Sequence, residues 1–267
     1  MTTSKIRTSE IVARDDEIHI AGQVFGTPIV TKGLTWLPLV ELGGWLIMAW
    51  YAGQRRPERS WPTRLGVGAL TMPVLLGSEW CHNLAHAAAA QAVGKPMDAL
   101  RVTWGMPLVV YYDIEDRQVT PRQHILRALG GPLFNAGLLA FCLALQRASK
   151  PDGLAREVAD VAVGMNAFLC SVSLLPIPGI DGGPILKWSL VEAGKTPAQA
   201  DETLRKVNGP LGILLGILSG LFIKRRKHLL GGFLGLLAAT SLSIAGGLLR
   251  ESKESPWLRN KNQSKNS

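Results

Sequence analysis

The stretch Glu79-Trp80-Cys81-His82-Asn83-Leu84-Ala85-His86 carries two histidines four residues apart inside an apolar run. On an α-helix that spacing leaves the two side chains about 40° apart around the axis and one turn apart along it, so both imidazoles can converge on one ion. Neutral imidazole suits zinc, and this is the histidine spacing of the zinc motif His-Glu-x-x-His. Glu79 falls about 60° from His82 and about 20° from His86 on the same helix, so all three share a face. Three roles are open to it: a fourth metal ligand, a displaced proton acceptor, or a carboxylate that orients a histidine. Far along the chain, Leu174-Leu175-Pro176-Ile177-Pro178-Gly179-Ile180-Asp181-Gly182-Gly183 places Asp181 after prolines that end a helix and before glycines that free the backbone. A carboxylate in apolar surroundings needs a cation to stay charged, and two His with one carboxylate is a common zinc donor set.

The elements that must position these residues are long apolar helices. Charged residues make up 18% of the 267, below the roughly 25% of soluble domains, and the mean hydropathy is +0.16. The apolar residues gather in about six runs near the length that crosses a bilayer as a helix. They are 34–53, 65–93, 125–145, 158–175, 210–223 and 229–249. The fifth is short and reads as re-entrant or tilted. A soluble helical bundle would leave such runs insoluble on any exposed face. The expected fold is therefore an all-α polytopic membrane protein with about six transmembrane helices. Between the second and third runs, Leu100 to Trp104 and Leu108 to Tyr112 flank Gly105-Met106-Pro107 and read as a small β-hairpin or sheet; residues 18–30 read as a short strand and turn. The implied organisation is a juxtamembrane segment over 1–33, a membrane-embedded domain over 34–249 and a polar, disordered tail over 250–267. Residues 1–33 contain acidic residues and no apolar core of a cleaved signal peptide.

The net charge of +9 does not indicate nucleic acid. Its lysines and arginines sit in connectors, at 55–64 and 224–227, as membrane proteins distribute them. Cys81, Cys142 and Cys170 lie inside the apolar runs without a Cys-x-x-Cys pair, which argues against a disulfide framework. Trp36, Trp50, Trp61, Trp188 and Trp257 read as interfacial anchors, and His19, His124 and His228 as interfacial groups near run ends. Glu41, in the first run, snorkels, pairs or faces the site.

Four separated motifs together resemble the site-2 protease family of intramembrane zinc metalloproteases. They are Gly22-x-x-x-Gly26-x-Pro28, His82-x-x-x-His86, Gly131-Pro132-Leu133-Phe134-Asn135, and Leu175-Pro176-Ile177-Pro178 running into Ile180-Asp181-Gly182. The resemblance covers about residues 20 to 190. It implies one zinc ion held in the membrane by His82, His86 and Asp181, and cleavage of transmembrane helices of other proteins. It also gives Asn135 a part in holding the substrate or the site, although an interhelical hydrogen bond explains that residue equally well; Asn166 reads the same way. Three positions depart from the family. Its general-base Glu, which takes a proton from water and returns it as general acid, is Asn83 here, and an amide cannot take up a proton at neutral pH. Ser173 stands where the family usually has Asn, and Gly179 where a second Pro is common. The last two touch substrate positioning, not the metal.

The implied function is a site-2 protease-like zinc metallopeptidase homologue with impaired or altered catalysis. Its partners would be a transmembrane substrate or client and the surrounding lipid, in a multi-pass protein of the cell membrane. The alternative is a silent pseudoprotease that binds membrane proteins without cutting them. A metal transporter is a third class, but the paired broken repeats of transporters are not evident. Orientation stays open, because the positive connectors and the family topology disagree over which side is cytoplasmic.

Overall fold

A computed structural model of the chain describes residues 18–110 and 118–248. The tail expected to be disordered lies outside them, as do residues 1–17 of the N-terminal segment and the two tyrosines of the expected second strand. The elements run β1 (Ile18–Val24), β2 (Thr27–Lys32), a 3-10 turn (Gly33–Trp36), α1 (Leu39–Arg55), α2 (Trp61–Ala92), β3 (Ala99–Thr103), β4 (Met106–Val110), α3 (Pro121–Ala148), α4 (Leu154–Val172), α5 (Gly182–Glu192), α6 (Pro197–Lys224) and α7 (His228–Ala245). They form two compact units, one of residues 18–110 with 129–172, the other of 118–128 with 173–248.

In the first unit the strands make one sheet in the order β1-β2-β3-β4. The outer pairs are antiparallel, and β2 pairs with β3 in parallel, Ile29 opposite Leu100 and Thr31 opposite Val102. A parallel pair needs a long crossover, and here the crossover is α1 and α2. The expected hairpin is thus half of a four-stranded sheet, completed by the pair that precedes α1. The crossover lays α2 against the sheet. Ala87, Ala90, Met97 and Leu100 form a buried cluster, with Trp80, Leu84, Ile29 and Val109 packed on it. Trp80, Leu84 and Ala87 follow the i, i+4, i+7 stripe of a helix. His82 and His86 each lie two residues from Leu84, about 160° around the axis, so the histidines face away from the sheet.

In the second unit α6 and α7 pair closely, with the Ser219 hydroxyl donating to the Gly231 carbonyl at 2.7 Å. The fifth apolar run is not short: it is the later part of a 28-residue helix. α6 begins at Pro197, behind a capping box in which Thr196 Oγ1 accepts from the Gln199 N–H and Gln199 Oε1 accepts from the Thr196 N–H. Its first turns carry Asp201, Glu202, Arg205 and Lys206, which hide the helix from a hydropathy reading. His124 and Trp188 also depart from the interfacial role expected of them. Both are buried and stack on each other with ring centroids 4.0 Å apart and planes within 3°.

Among the described residues four helical segments are long and apolar enough to cross a membrane: 33–55, 121–148, 197–224 and 228–245. The runs at 65–93 and 158–175 are helical as α2 and α4. These helices fall outside that group because α2 carries Glu79, His82, Asn83 and His86, and α4 carries Arg156, Glu157 and Asp160.

Candidate metal centre

The two histidines meet as the helical spacing requires. His82 and His86 are buried, their rings lie edge to face at 83°, and their Nε2 atoms are 3.1 Å apart. Two neutral imidazoles cannot aim lone pairs at each other over that distance without a proton or a cation between them. Tetrahedral zinc with bonds of about 2.0–2.1 Å separates two ligand nitrogens by about 3.3 Å, so the pair fits a zinc ion. Gly131 of α3 closes the other side. A Cβ there would stand 2.5 Å from His82 Cε1 and from His86 Nε2, which gives the Gly131-Pro132 motif a steric reason.

Behind the pair runs a line of buried amides. Asn135 Oδ1 lies 2.6 Å from His82 Nδ1, and Asn135 Nδ2 donates to Asn166 Oδ1 at 2.6 Å. Asn166 Nδ2 donates to the Ala162 carbonyl at 2.9 Å and to Ser78 Oγ at 3.1 Å. Both asparagines are fully buried. The side chain of Asn135 thus links His82 on α2 to Asn166 on α4. Ser78 was not singled out from the sequence. Its signal was its position four residues before His82, on the same helix face.

Asn83 is buried beside the pair. Its amide nitrogen donates to the Glu79 main-chain oxygen at 3.0 Å and to Glu79 Oε1 at 3.2 Å. Both partners only accept, so both amide protons are committed to Glu79. Glu79 thus lies against the residue at the family's general-base position.

Asp181 and Ser173 belong to the second unit, on the loop between α4 and α5. The loop closes on itself: the Gly182 N–H donates to the Ser173 carbonyl at 2.7 Å, and the Ile180 N–H to the Ile177 carbonyl at 3.0 Å. Gly179 takes φ +89°, a conformation closed to proline, so this turn requires the departure from a second proline. Asn208 of α6 anchors the loop by donating to the Pro176 carbonyl at 2.8 Å; this residue too was missed in the sequence. The Ser173 hydroxyl is buried with no hydrogen-bond partner among the described residues. Asp181 leads into α5, its carbonyl accepting from the Ile185 N–H at 3.1 Å. Glu41 lies elsewhere, its carboxylate against Gly105 at the tip of the β3–β4 hairpin.

Four helical segments of membrane-crossing length define the class, an integral membrane protein, and it carries a buried histidine pair. No protein-family model matches the chain. Over 71 residues, 27% of the chain, it is 35% identical to the curated "Putative zinc metalloprotease MJ0611" of Methanocaldococcus jannaschii, and the match spans only 37% of that relative's length. The solved structure of a site-2 protease from Methanocaldococcus jannaschii shares its fold with a TM-score of 0.50 at 13% identity, over 89% of this chain and 99% of that one. The 71-residue match and the shared fold are both likenesses to site-2 proteases, the family that the four motifs resemble.

Proposed function

We propose that the chain is a multi-pass protein of the cell membrane that holds one zinc ion on His82, His86 and Asp181. It acts on transmembrane segments of other proteins, with hydrolysis impaired or altered by Asn83. The observation that carries this reading is the buried His82–His86 pair, whose Nε2 atoms lie 3.1 Å apart. Two imidazoles and one carboxylate make a donor set common in catalytic zinc sites. Bound there, zinc would supply the Lewis acidity that polarises a peptide carbonyl. Asn135 holds His82 in place, and the Ser173 hydroxyl, without a hydrogen-bond partner among the described residues, is the group offered to a substrate backbone.

The Asn83 amide can neither take up a proton nor return one at neutral pH. In the altered-catalysis reading Glu79 takes that role from one helical turn away. The silent-binder reading draws on the same contacts, since the Asn83 amide donates to Glu79 Oε1 and stabilises that carboxylate.

The test is zinc content and cleavage of a co-reconstituted single-span substrate, measured for the wild type, His86→Ala, Glu79→Ala and Asn83→Glu. About one zinc per chain, lost in His86→Ala, is expected. Asn83→Glu should raise cleavage by on the order of 10²–10⁴-fold, the usual contribution of a positioned general base. Slow wild-type cleavage that stops in Glu79→Ala supports the displaced base. A wild type that captures the substrate intact while Asn83→Glu cuts it selects the silent binder. Wild-type protein without zinc overturns the reading.

A further inference from the structure

We propose that Asn166, held by Ala162 and Ser78, sets the tautomer of His82 through Asn135, and so decides which imidazole nitrogen carries the lone pair. Asn166 and Ser78 are positioning residues: they act on His82 through Asn135.

The argument starts at a backbone carbonyl. The Asn166 side-chain atom 2.9 Å from the Ala162 oxygen must be the amide nitrogen, because a carbonyl only accepts. Ser78 agrees. Its hydroxyl proton goes to the Val74 carbonyl at 2.8 Å, so its oxygen accepts from Asn166 at 3.1 Å. Asn166 therefore turns Oδ1 toward Asn135. The Asn135 atom facing it at 2.6 Å must be the nitrogen, which leaves Asn135 Oδ1 against His82 Nδ1 at 2.6 Å. That oxygen only accepts, so His82 Nδ1 carries the hydrogen. In the neutral ring Nε2 is then the lone-pair atom, and it is the atom facing His86.

Each amide has one orientation that satisfies its neighbours, and neither asparagine has access to water to relieve a wrong one. The chain of constraint crosses three helices of one unit, from α4 through α3 to α2. It selects the Nδ1–H form, the minor tautomer of free histidine in water, and presents Nε2 ready for a cation. The consequence for zinc rests on the proposed function; the tautomer does not.

Nitrogen-15 spectra of histidine-labelled, chelator-stripped protein at a pH where the imidazoles are neutral read the tautomer directly. For the wild type, His82 should be protonated at Nδ1 and bare at Nε2; the reverse overturns the proposal, whatever the variants do. Asn166→Leu removes the acceptor facing Asn135, frees that amide to flip, and should move His82 toward the Nε2–H form. Asn166→Asp keeps an acceptor toward Asn135 and should keep the wild-type signature, which separates the relay from a mere packing role. Zinc affinity should fall on the order of 10–100-fold in Asn166→Leu, the usual effect of losing a ligand's outer partner, and less in Asn166→Asp. An unchanged His82 signature in Asn166→Leu overturns the relay. Spectra that behave as expected in a protein that takes up no zinc leave the relay standing and overturn the zinc reading instead.

Discussion

The tightest constraint on the histidine pair is a side chain that is not there. His82 is pinned through Nδ1 by Asn135, and the Gly131 N–H approaches His86 Nδ1 at 3.4 Å. Neither ring can swing away freely from a methyl group placed between them. Gly131→Ala would put that methyl 2.5 Å from His82 Cε1 and from His86 Nε2, well inside contact distance, so one imidazole must leave its position. We expect zinc affinity to fall at least about tenfold, or about 1.4 kcal/mol. Gly137→Ala on the same helix should leave it unchanged, since nothing lies within 4 Å of a Cβ there. Competitive zinc titration of the two variants checks this, and equal affinities would mean that α3 yields rather than the histidines. The histidine pair itself was legible in the sequence because helical geometry fixes residues four apart. The direction of the Asn83 amide was not, because it depends on the rotamer that brings Glu79 Oε1 beside it.

Whole elements carry the loop that leads to Asp181. Asn208 sits fully buried in α6, where it donates to the Pro176 and Leu204 carbonyls at 2.8 and 2.9 Å and accepts from the Ser241 hydroxyl of α7 at 2.8 Å. One side chain thus ties two helices to the proline loop. Asn208→Leu leaves the Pro176 carbonyl and the Ser241 hydroxyl without these partners, and a buried unsatisfied group costs about 1–3 kcal/mol. The variant should melt lower in detergent and exchange its Gly182 amide faster, because the bond from Gly182 to Ser173 closes the same loop. Ser241→Ala, which removes donor and hydroxyl together, should show a smaller drop; equal exchange in all three proteins would show that the loop holds itself. The Leu-Pro-Ile-Pro motif announced this loop in the sequence, but its anchor lies 32 residues away on a helix whose polar start concealed it. The sheet was half legible for a related reason. Each hairpin pairs neighbours along the chain, whereas β2 meets β3 across the two-helix crossover, and Ile29 carries no mark of Leu100.

For the molecule as a whole, the excess of basic residues is partly structural. Arg55 pairs with Asp160 at 2.7 Å and Arg59 grips both Glu157 oxygens at 2.6 and 2.8 Å. Arg56 reaches Glu157 at 3.1 Å, and Arg156 reaches Asp160 at 3.1 Å. This cluster joins the α1–α2 connection to the start of α4, the helix that also bears Asn166. Glu157 is buried, and the Arg59 hydrogen bonds hold its carboxyl below the ordinary range although burial pushes it up. The same bonds raise Arg59. A carboxyl whose folded pKa is depressed contributes stability that is present above its unfolded pKa, about 4.3 for Glu. That contribution is lost as pH falls through the lower folded value. The melting temperature in detergent should therefore hold near neutral pH and drop in acid as the cluster protonates. Glu157→Gln should melt lower at pH 7, because it leaves Arg59 without its partner carboxylate, and should lose less on acidification. A variant that tracks the wild type in parallel across the whole range would assign the acid transition to other carboxylates. A variant that converges with the wild type only in acid would identify this pair as the tie that fixes α4 beside α2, and with it the helix from which the His82 relay starts.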